Sequence, residues 1–342
     1  MKGNFMKWNH AWNVSILGCM VEGLRANPST TGKGRLGNGA GDVGDNSRGT
    51  FTKKFVAAPR IPVNRLYPVS PQDDGGATFD IVFFHGLQIV GGTAAQEAYR
   101  TTWTNKDNVL WPKEWLPNDL ENIRVFSLSY DAEATKWFGQ GNTEDVEYIG
   151  ENLFQSLVMG SAGVGCRPFV LVGHSFGGLV IKALINETKR RSDSAETNAL
   201  DKKAIGKAKE FLQNLKGIVF YAVPHSGADA ATLLSYFKFV RLSKIIGNLK
   251  PFSRRMAKMS VMMQDTFYNK GINIYAFGEG KPTYSNKMVV KAASAMQLAG
   301  NNFYLLEDCN HMQVCNPPSK EHQSYSQLLD VLRTCREGAK VN

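Results

Sequence analysis

Nowhere in the 342 residues does an uninterrupted apolar stretch approach the ~18 positions a membrane-spanning helix needs, which excludes an integral multi-span protein. Cysteine is scarce. The five residues, Cys19, Cys166, Cys309, Cys315 and Cys335, are odd in number and contain no C-x-x-C pair, so a disulfide scaffold is not expected and reduced thiols are. No internal repeat is visible. A disordered or collagen-like bias is also lacking, since 43% of residues are hydrophobic and 20% charged, enough to bury a sizeable core. Acidic residues are sparse at the start: residues 1–72 hold ten basic side chains against Glu22, Asp42 and Asp45, within a net charge of +10 for the chain. Such a segment is either a solvated arm or attracts anionic partners such as a lipid surface, nucleic acid or a targeting receptor.

At ~150 residues per domain the length allows two domains or one large α/β domain. Residues 1–50 read as a flexible basic tail, because Gly32 to Gly49 is mostly Gly, Asn, Ser and Asp. Inside it, Val14 to Val21 forms a short apolar patch behind Lys2 and Lys7, without a clean small-residue cleavage site. An organelle transit peptide fits this better than a secretory signal, and an intracellular protein is expected. From 51 to 342 the pattern becomes strands alternating with amphipathic helices. Thr78–Phe84, Asn122–Tyr130, Pro168–Val172, Gly217–Val223, Ile272–Phe277 and Phe303–Leu306 are compact apolar runs. Glu144–Met159 repeats apolar residues at helical spacing, and Leu179–Ile185 begins another helix. Lys189–Lys209 reads as a polar surface insertion with helical character. Continuous apolar strands separated by helices predict an α/β fold, with a mostly parallel central sheet buried on both faces.

Gly173-His174-Ser175-Phe176-Gly177-Gly178 falls directly between a predicted strand and a predicted helix. The pattern G-x-S-x-G makes a sharp turn in which the serine takes strained backbone angles, and small residues at Gly173 and Gly177 let the flanking segments approach. The hydroxyl of Ser175 is then presented at the C-terminal edge of the sheet, beside a helix N-terminus. Serine is a weak nucleophile without a base. Of the six histidines, His174 sits inside the elbow, His85 belongs to the loop after the first core strand, His10 lies in the tail and His322 leads into the last helix. In α/β-hydrolases the order is Ser, acid, His, with the His after the final strand; His311 fits this and His225 does not. The acid should end the penultimate strand, which points to Glu279 in Gly278-Glu279-Gly280, with Asp308 as the alternative. The oxyanion donors expected are the backbone N–H groups of Phe176 and of Leu87, after His85-Gly86.

Cys309, His311 and Cys315 would supply only three zinc ligands where a closed structural site wants four, so no metal site is assigned; no organic cofactor is required either.

Taken together, Ile81-Val82-Phe83-Phe84-His85-Gly86-Leu87, Trp111-Pro112 with Trp115-Leu116-Pro117, Arg124 to Asp131, the elbow, Pro224-His225-Ser226-Gly227 and Asn310 to Cys315 resemble the serine active site-containing protein family. These are α/β-hydrolases, more distantly related to inositol deacylases and lipases with a Gly-His-Ser-x-Gly elbow. The likeness covers roughly Phe79 to Leu332. It implies a triad of Ser175, Glu279 (before Pro282-Thr283) and His311. It also implies esterase or transacylase action on lipids, phospholipid remodelling in particular, in association with mitochondria or endoplasmic reticulum.

A lipid partner has separate support. Ala230 to Gln264 carries seven basic residues and no acidic one, with Lys238, Arg241 and Lys244 on a polar face and Leu234, Phe237, Leu242 and Ile245 among the apolar residues. A small helical cap near 228–270 that rests on an anionic bilayer is one reading; an ordinary surface helix is the other. Nucleic acid is not expected, because the basic residues lack an interleaved aromatic binding motif. A catalytically silent α/β-hydrolase-fold interaction protein at a membrane is the alternative function. The sequence does not specify oligomeric state.

Overall fold

The computed structural model describes residues 61–87, 96–130, 145–195, 198–226, 258–264, 272–283 and 287–339, together with Leu233 and Phe267. The chain divides into two units, Met1–Lys54 and Phe55–Asn342, and every described residue lies in the second.

Seven strands form one sheet among the described residues: β1 (Val63–Tyr67), β2 (Phe79–Phe84), β3 (Ile123–Leu128), β4 (Phe169–His174), β5 (Leu215–Tyr221), β6 (Asn273–Glu279) and β7 (Phe303–Leu306), in the order β1-β3-β2-β4-β5-β6-β7. Only β1 runs antiparallel, against β3; the other neighbours are all parallel. Every residue of β2, β3 and β4 is buried. That is what a parallel sheet covered on both faces demands, and it is why these strands read as unbroken apolar runs.

The two faces sort by alternation. Val82, Phe84, Phe126, Leu171 and Phe220 face one core with the helices α1 (Asp145–Leu153), α2 (Phe176–Ser192) and α3 (Ala199–Asn214). Ile81, Phe83, Val125, Val172 and Val219 face the other, with Trp103, Trp111 and α4 (Gln323–Gly338). Successive strand side chains point to opposite faces, so the sheet serves both cores at once. Phe83 anchors the second through edge-on contacts to Trp103 at 4.8 Å and Trp111 at 5.4 Å. At the far edge of β2 and β3, Arg124 holds buried Asp80 with two hydrogen bonds, Nε to Oδ1 at 2.8 Å and Nη2 to Oδ2 at 2.6 Å.

The α3 region departs from the sequence expectation. Lys189–Lys209, read as a polar surface insertion with helical character, is indeed helical over 199–209, but it is not superficial: Ala204, Ile205 and Ala208 are buried, as are Phe211 and Leu212 further along the same helix. The Asn198 side chain accepts from the N–H groups of Leu200 and Asp201 at its start. The tail over 1–50 lies outside the described residues, as does most of the cap segment near 228–270. Of the latter, Leu233, Met259, Met263 and Phe267 are buried in the first core.

All six parallel strands end at one rim. Ser175 follows the last residue of β4, Glu279 is the last residue of β6, His85 to Leu87 follow β2, and His311 lies five residues beyond β7. In open α/β sheets this rim is where ligands bind.

Candidate active site

Ser175 has φ 53° and ψ −121° between β4 and α2, a conformation that side chains other than glycine rarely adopt. Neighbouring elements fix it. Its N–H donates to Tyr221 O at 2.8 Å, and its carbonyl accepts from Gly178 N at 3.1 Å. A Cβ on Gly177 would lie 2.2 Å from Phe84 O and 2.6 Å from His85 O, so the missing side chain is what lets α2 lie against the end of β2. The glycine thus admits a neighbouring strand. Gly173 does what the motif predicts for its own strand and helix: a Cβ there would lie 2.9 Å from Gly178 N.

Three groups meet at this turn. The Nε2 atom of His311 lies 2.9 Å from Ser175 Oγ. On the opposite side of the ring, Nδ1 lies 3.6 Å from Glu279 Oε2. All three residues are buried. Glu279 is oriented by its other oxygen, which accepts the N–H of Val290 in a short hydrogen bond. The alternative acid, Asp308, is turned elsewhere: its carboxylate is 2.9 Å from Nε2 of His322, and its side chain is 63% exposed.

The backbone of His311 is held at both ends. Its N–H donates to Thr283 Oγ1 at 2.9 Å, and its carbonyl lies 2.9 Å from Nε2 of His174. The elbow histidine therefore points away from its neighbour's hydroxyl and grips the loop that carries the imidazole. Downstream, Trp111 Nε1 donates to Cys315 O at 3.0 Å and Asn105 Nδ2 to Pro317 O at 3.2 Å. Sequence reasoning gave no role to Thr283, Val290 or Trp111, because each acts through a backbone group distant in the chain.

His85 and His174 are neutral at physiological pH. Burial draws the first down to about 4 and the second to about 3. His85 stacks on Tyr130 with ring centroids 4.1 Å apart, and its Nδ1 lies 2.9 Å from Gly86 O. Gly86 passes close to the elbow: a Cβ on it would lie 2.9 Å from His174 Nδ1 and 3.2 Å from Ser175 Cβ. The His85–Leu87 loop is thus beside Ser175, where the expected amide donor belongs. Leu87 and Phe176 are both buried. Neither Cys315 nor His311 joins Cys309 in a metal-like cluster. The Cys315 Sγ faces Thr102 O at 3.6 Å and Met312 O at 3.7 Å. His225 is buried behind the rim against Phe220, and burial lowers its pKa.

A largely parallel seven-stranded sheet with a serine at a strained strand-to-helix turn, on the rim where the parallel strands end, defines an α/β-hydrolase fold. In sequence the chain is similar to Protein SERAC1. It is 27% identical to the Bos taurus protein over 277 residues, covering 74% of this chain and 38% of that protein. It is 25% identical to the Homo sapiens protein over 277 residues, with 74% and 38% covered. To the Danio rerio protein it is 26% identical over 289 residues, with 77% and 40% covered. The chain thus spans about two fifths of the length of the curated relatives it matches. No family-level sequence profile matches it. Among solved structures it is similar to lipase BlEst2 from Bacillus licheniformis, 14% identical with a TM-score of 0.43, covering 75% of this chain and 92% of that one. It is also similar to a thermophilic esterase from Thermogutta terrifontis, 13% identical with a TM-score of 0.42, covering 81% and 96%. The fold is defined by the chain's own sheet order and not by these distant likenesses. Among the described residues no helix is long and apolar enough to cross a membrane.

Proposed function

We propose that this chain is a serine hydrolase acting on carboxylic esters, working as a lipid esterase or phospholipid transacylase. The observation that carries the reading is the 2.9 Å approach of His311 Nε2 to Ser175 Oγ, with buried Glu279 across the same ring. In the first step Ser175 Oγ bonds to the ester carbonyl carbon while its proton passes to His311 Nε2. Glu279 faces Nδ1 across 3.6 Å and its carboxylate stabilises the imidazolium as that charge develops. The N–H groups of Phe176 and Leu87 stabilise the oxyanion, each worth on the order of 3 kcal/mol of barrier. The C–O bond to the alcohol then breaks, and the leaving alcohol takes the proton back from His311. Water or a second alcohol repeats the sequence to release the acyl group.

A lipid substrate is supported by the family resemblance and by the basic, acid-free stretch from Ala230 to Gln264. Work at an anionic membrane surface of mitochondria or endoplasmic reticulum belongs to the same proposal. The decisive test is covalent labelling by a fluorophosphonate probe. Native protein should be labelled and Ser175→Ala should not; a folded native chain that takes no label would favour a non-catalytic interaction protein. Flotation with vesicles addresses the surface: binding is expected to anionic vesicles and not to neutral ones.

A further inference from the structure

The serine-hydrolase reading needs two amide donors, and the fold holds them unequally. The N–H of Phe176 is fixed by the elbow, at the first residue of α2. The N–H of Leu87 belongs to a loop that turns on Gly86, and glycine by itself has little preference for one peptide orientation over another. That loop backs directly onto the nucleophile, since a Cβ on Gly86 would lie 3.2 Å from Ser175 Cβ. Whether it offers Ser175 an N–H or a carbonyl oxygen is decided by groups outside the glycine.

Tyr130, two residues past β3, donates its hydroxyl to the carbonyl of His85 in a short hydrogen bond. Strands β2 and β3 are parallel neighbours with Phe83 opposite Ser127, so His85 and Tyr130 leave the rim side by side. The phenol ring also lies flat on the imidazole, with centroids 4.1 Å apart and planes 9° apart. One side chain thus braces both the carbonyl and the ring of His85. The ring in turn reaches forward, with Nδ1 2.9 Å from Gly86 O. A carbonyl oxygen only accepts, so Nδ1 carries the ring proton and donates it. In a trans peptide the C=O and N–H of one unit point in opposite directions. Holding Gly86 O toward the His85 ring therefore turns the N–H of Leu87 away from that ring. The remaining nitrogen, His85 Nε2, is buried without a hydrogen-bond partner. An apolar ring would remove that uncompensated acceptor, so what the histidine contributes is its Nδ1 donor.

We propose that Tyr130 and His85 are positioning residues for the oxyanion site: they pin the carbonyls of His85 and Gly86 so that the N–H of Leu87 faces the oxygen of the attacked ester. The inference rests on the hydrolase reading and adds to it a device that orients one donor before substrate arrives. Neither side chain touches the reacting atoms. Their loss lowers stabilisation of the transition state and leaves ground-state binding in place.

The test compares Tyr130→Phe with the native chain on a chromogenic ester and on a trifluoromethyl ketone, whose adduct with Ser175 carries the oxyanion. The variant keeps the stacked ring and loses only the donor. Its kcat and kcat/KM should fall together by about ten- to a hundredfold, and affinity for the ketone by a similar factor. A fluorophosphonate should still titrate the same fraction of chains, which a variant that merely misfolds would not allow. His85→Phe should repeat the loss, and His85→Asn, which places an amide N–H near the position of Nδ1, should recover part of it. Unchanged kcat in Tyr130→Phe, a loss of kcat with unaltered ketone affinity, or no advantage of His85→Asn over His85→Phe would each overturn the inference, while labelling of the native chain keeps the hydrolase reading. A native chain that takes no label overturns both.

Discussion

His174 and Ser175 are adjacent in the chain but serve His311 from opposite sides: Nε2 of His174 lies 2.9 Å from the His311 carbonyl, and Ser175 Oγ lies 2.9 Å from its imidazole. One turn therefore both presents the hydroxyl and positions the group beside it. Replacing His174 by Ala removes the grip without touching the hydroxyl. The expected result is a fall in kcat of ten- to about a hundredfold on a soluble ester with KM little altered, the cost of misplacing a base by a fraction of an ångström. Steady-state kinetics on a chromogenic ester checks it, and fluorophosphonate labelling should slow in parallel.

Glu279 and Asp308 make a discriminating pair. Glu279→Gln keeps the shape of the buried side chain but loses the charge facing Nδ1, and kcat should drop by ~10³–10⁴. Asp308→Asn removes the partner of His322 and should cost far less. Equal losses in the two variants would move the acid assignment away from Glu279.

Gly177→Ala should destabilise the fold by about 3 kcal/mol or more, because the added methyl meets two backbone carbonyls at 2.2 and 2.6 Å that have no flexible side chain to yield. Gly206→Ala, where nothing lies within 4 Å inside α3, should instead stabilise by ~0.5–1 kcal/mol through helix propensity. Urea denaturation of both variants measures the contrast.

Lys182 is buried in α2, with Nζ 2.8 Å from Ser260 Oγ, and burial draws its pKa from 10.5 down to about 7. Between those values the unfolded chain retains a proton that the folded chain has released. Stability therefore rises with pH from about 7 to about 10, by up to ~1.4 kcal/mol per unit, and the contribution is flat below that window. Lys182→Met should remove this slope and be more stable than the native chain near neutrality. Urea midpoints of the two proteins at pH 7, 8 and 9 (about one unit apart) test the difference.

Legibility followed burial. Strands covered on both faces, such as Phe79–Phe84 and Phe169–His174, advertise themselves as continuous apolar runs. Strand β1 does not, because it sits at an edge, only Leu66 of its five residues is buried, and Pro62 and Pro68 flank it. The helical character of α3 was legible but its burial was not, because lysines crowd its first turns and the bulky members of its buried stripe, Phe211 and Leu212, come only near its end. At the rim, the residue types of the elbow and the order of strands point to Ser175 and His311. The facing of Glu279 toward the ring depends on pairing that sets it beside Leu306 on β7, which no local pattern encodes. Thr283 and Val290 were invisible for a related reason: one offers a hydroxyl to a backbone N–H and the other offers only a peptide group.

Among the described residues the sheet also has two poor margins. On one side β7 is four residues long and presents Leu305, 41% exposed; on the other, β1 slips register between Arg65 and Tyr67 and is followed at once by Pro68. Short, irregular outer strands give an incoming chain few hydrogen-bonding groups in phase. Growth by strand addition is thereby discouraged at each border, so if copies of this protein associate, they are expected to meet through side-chain surfaces and not by extending the sheet.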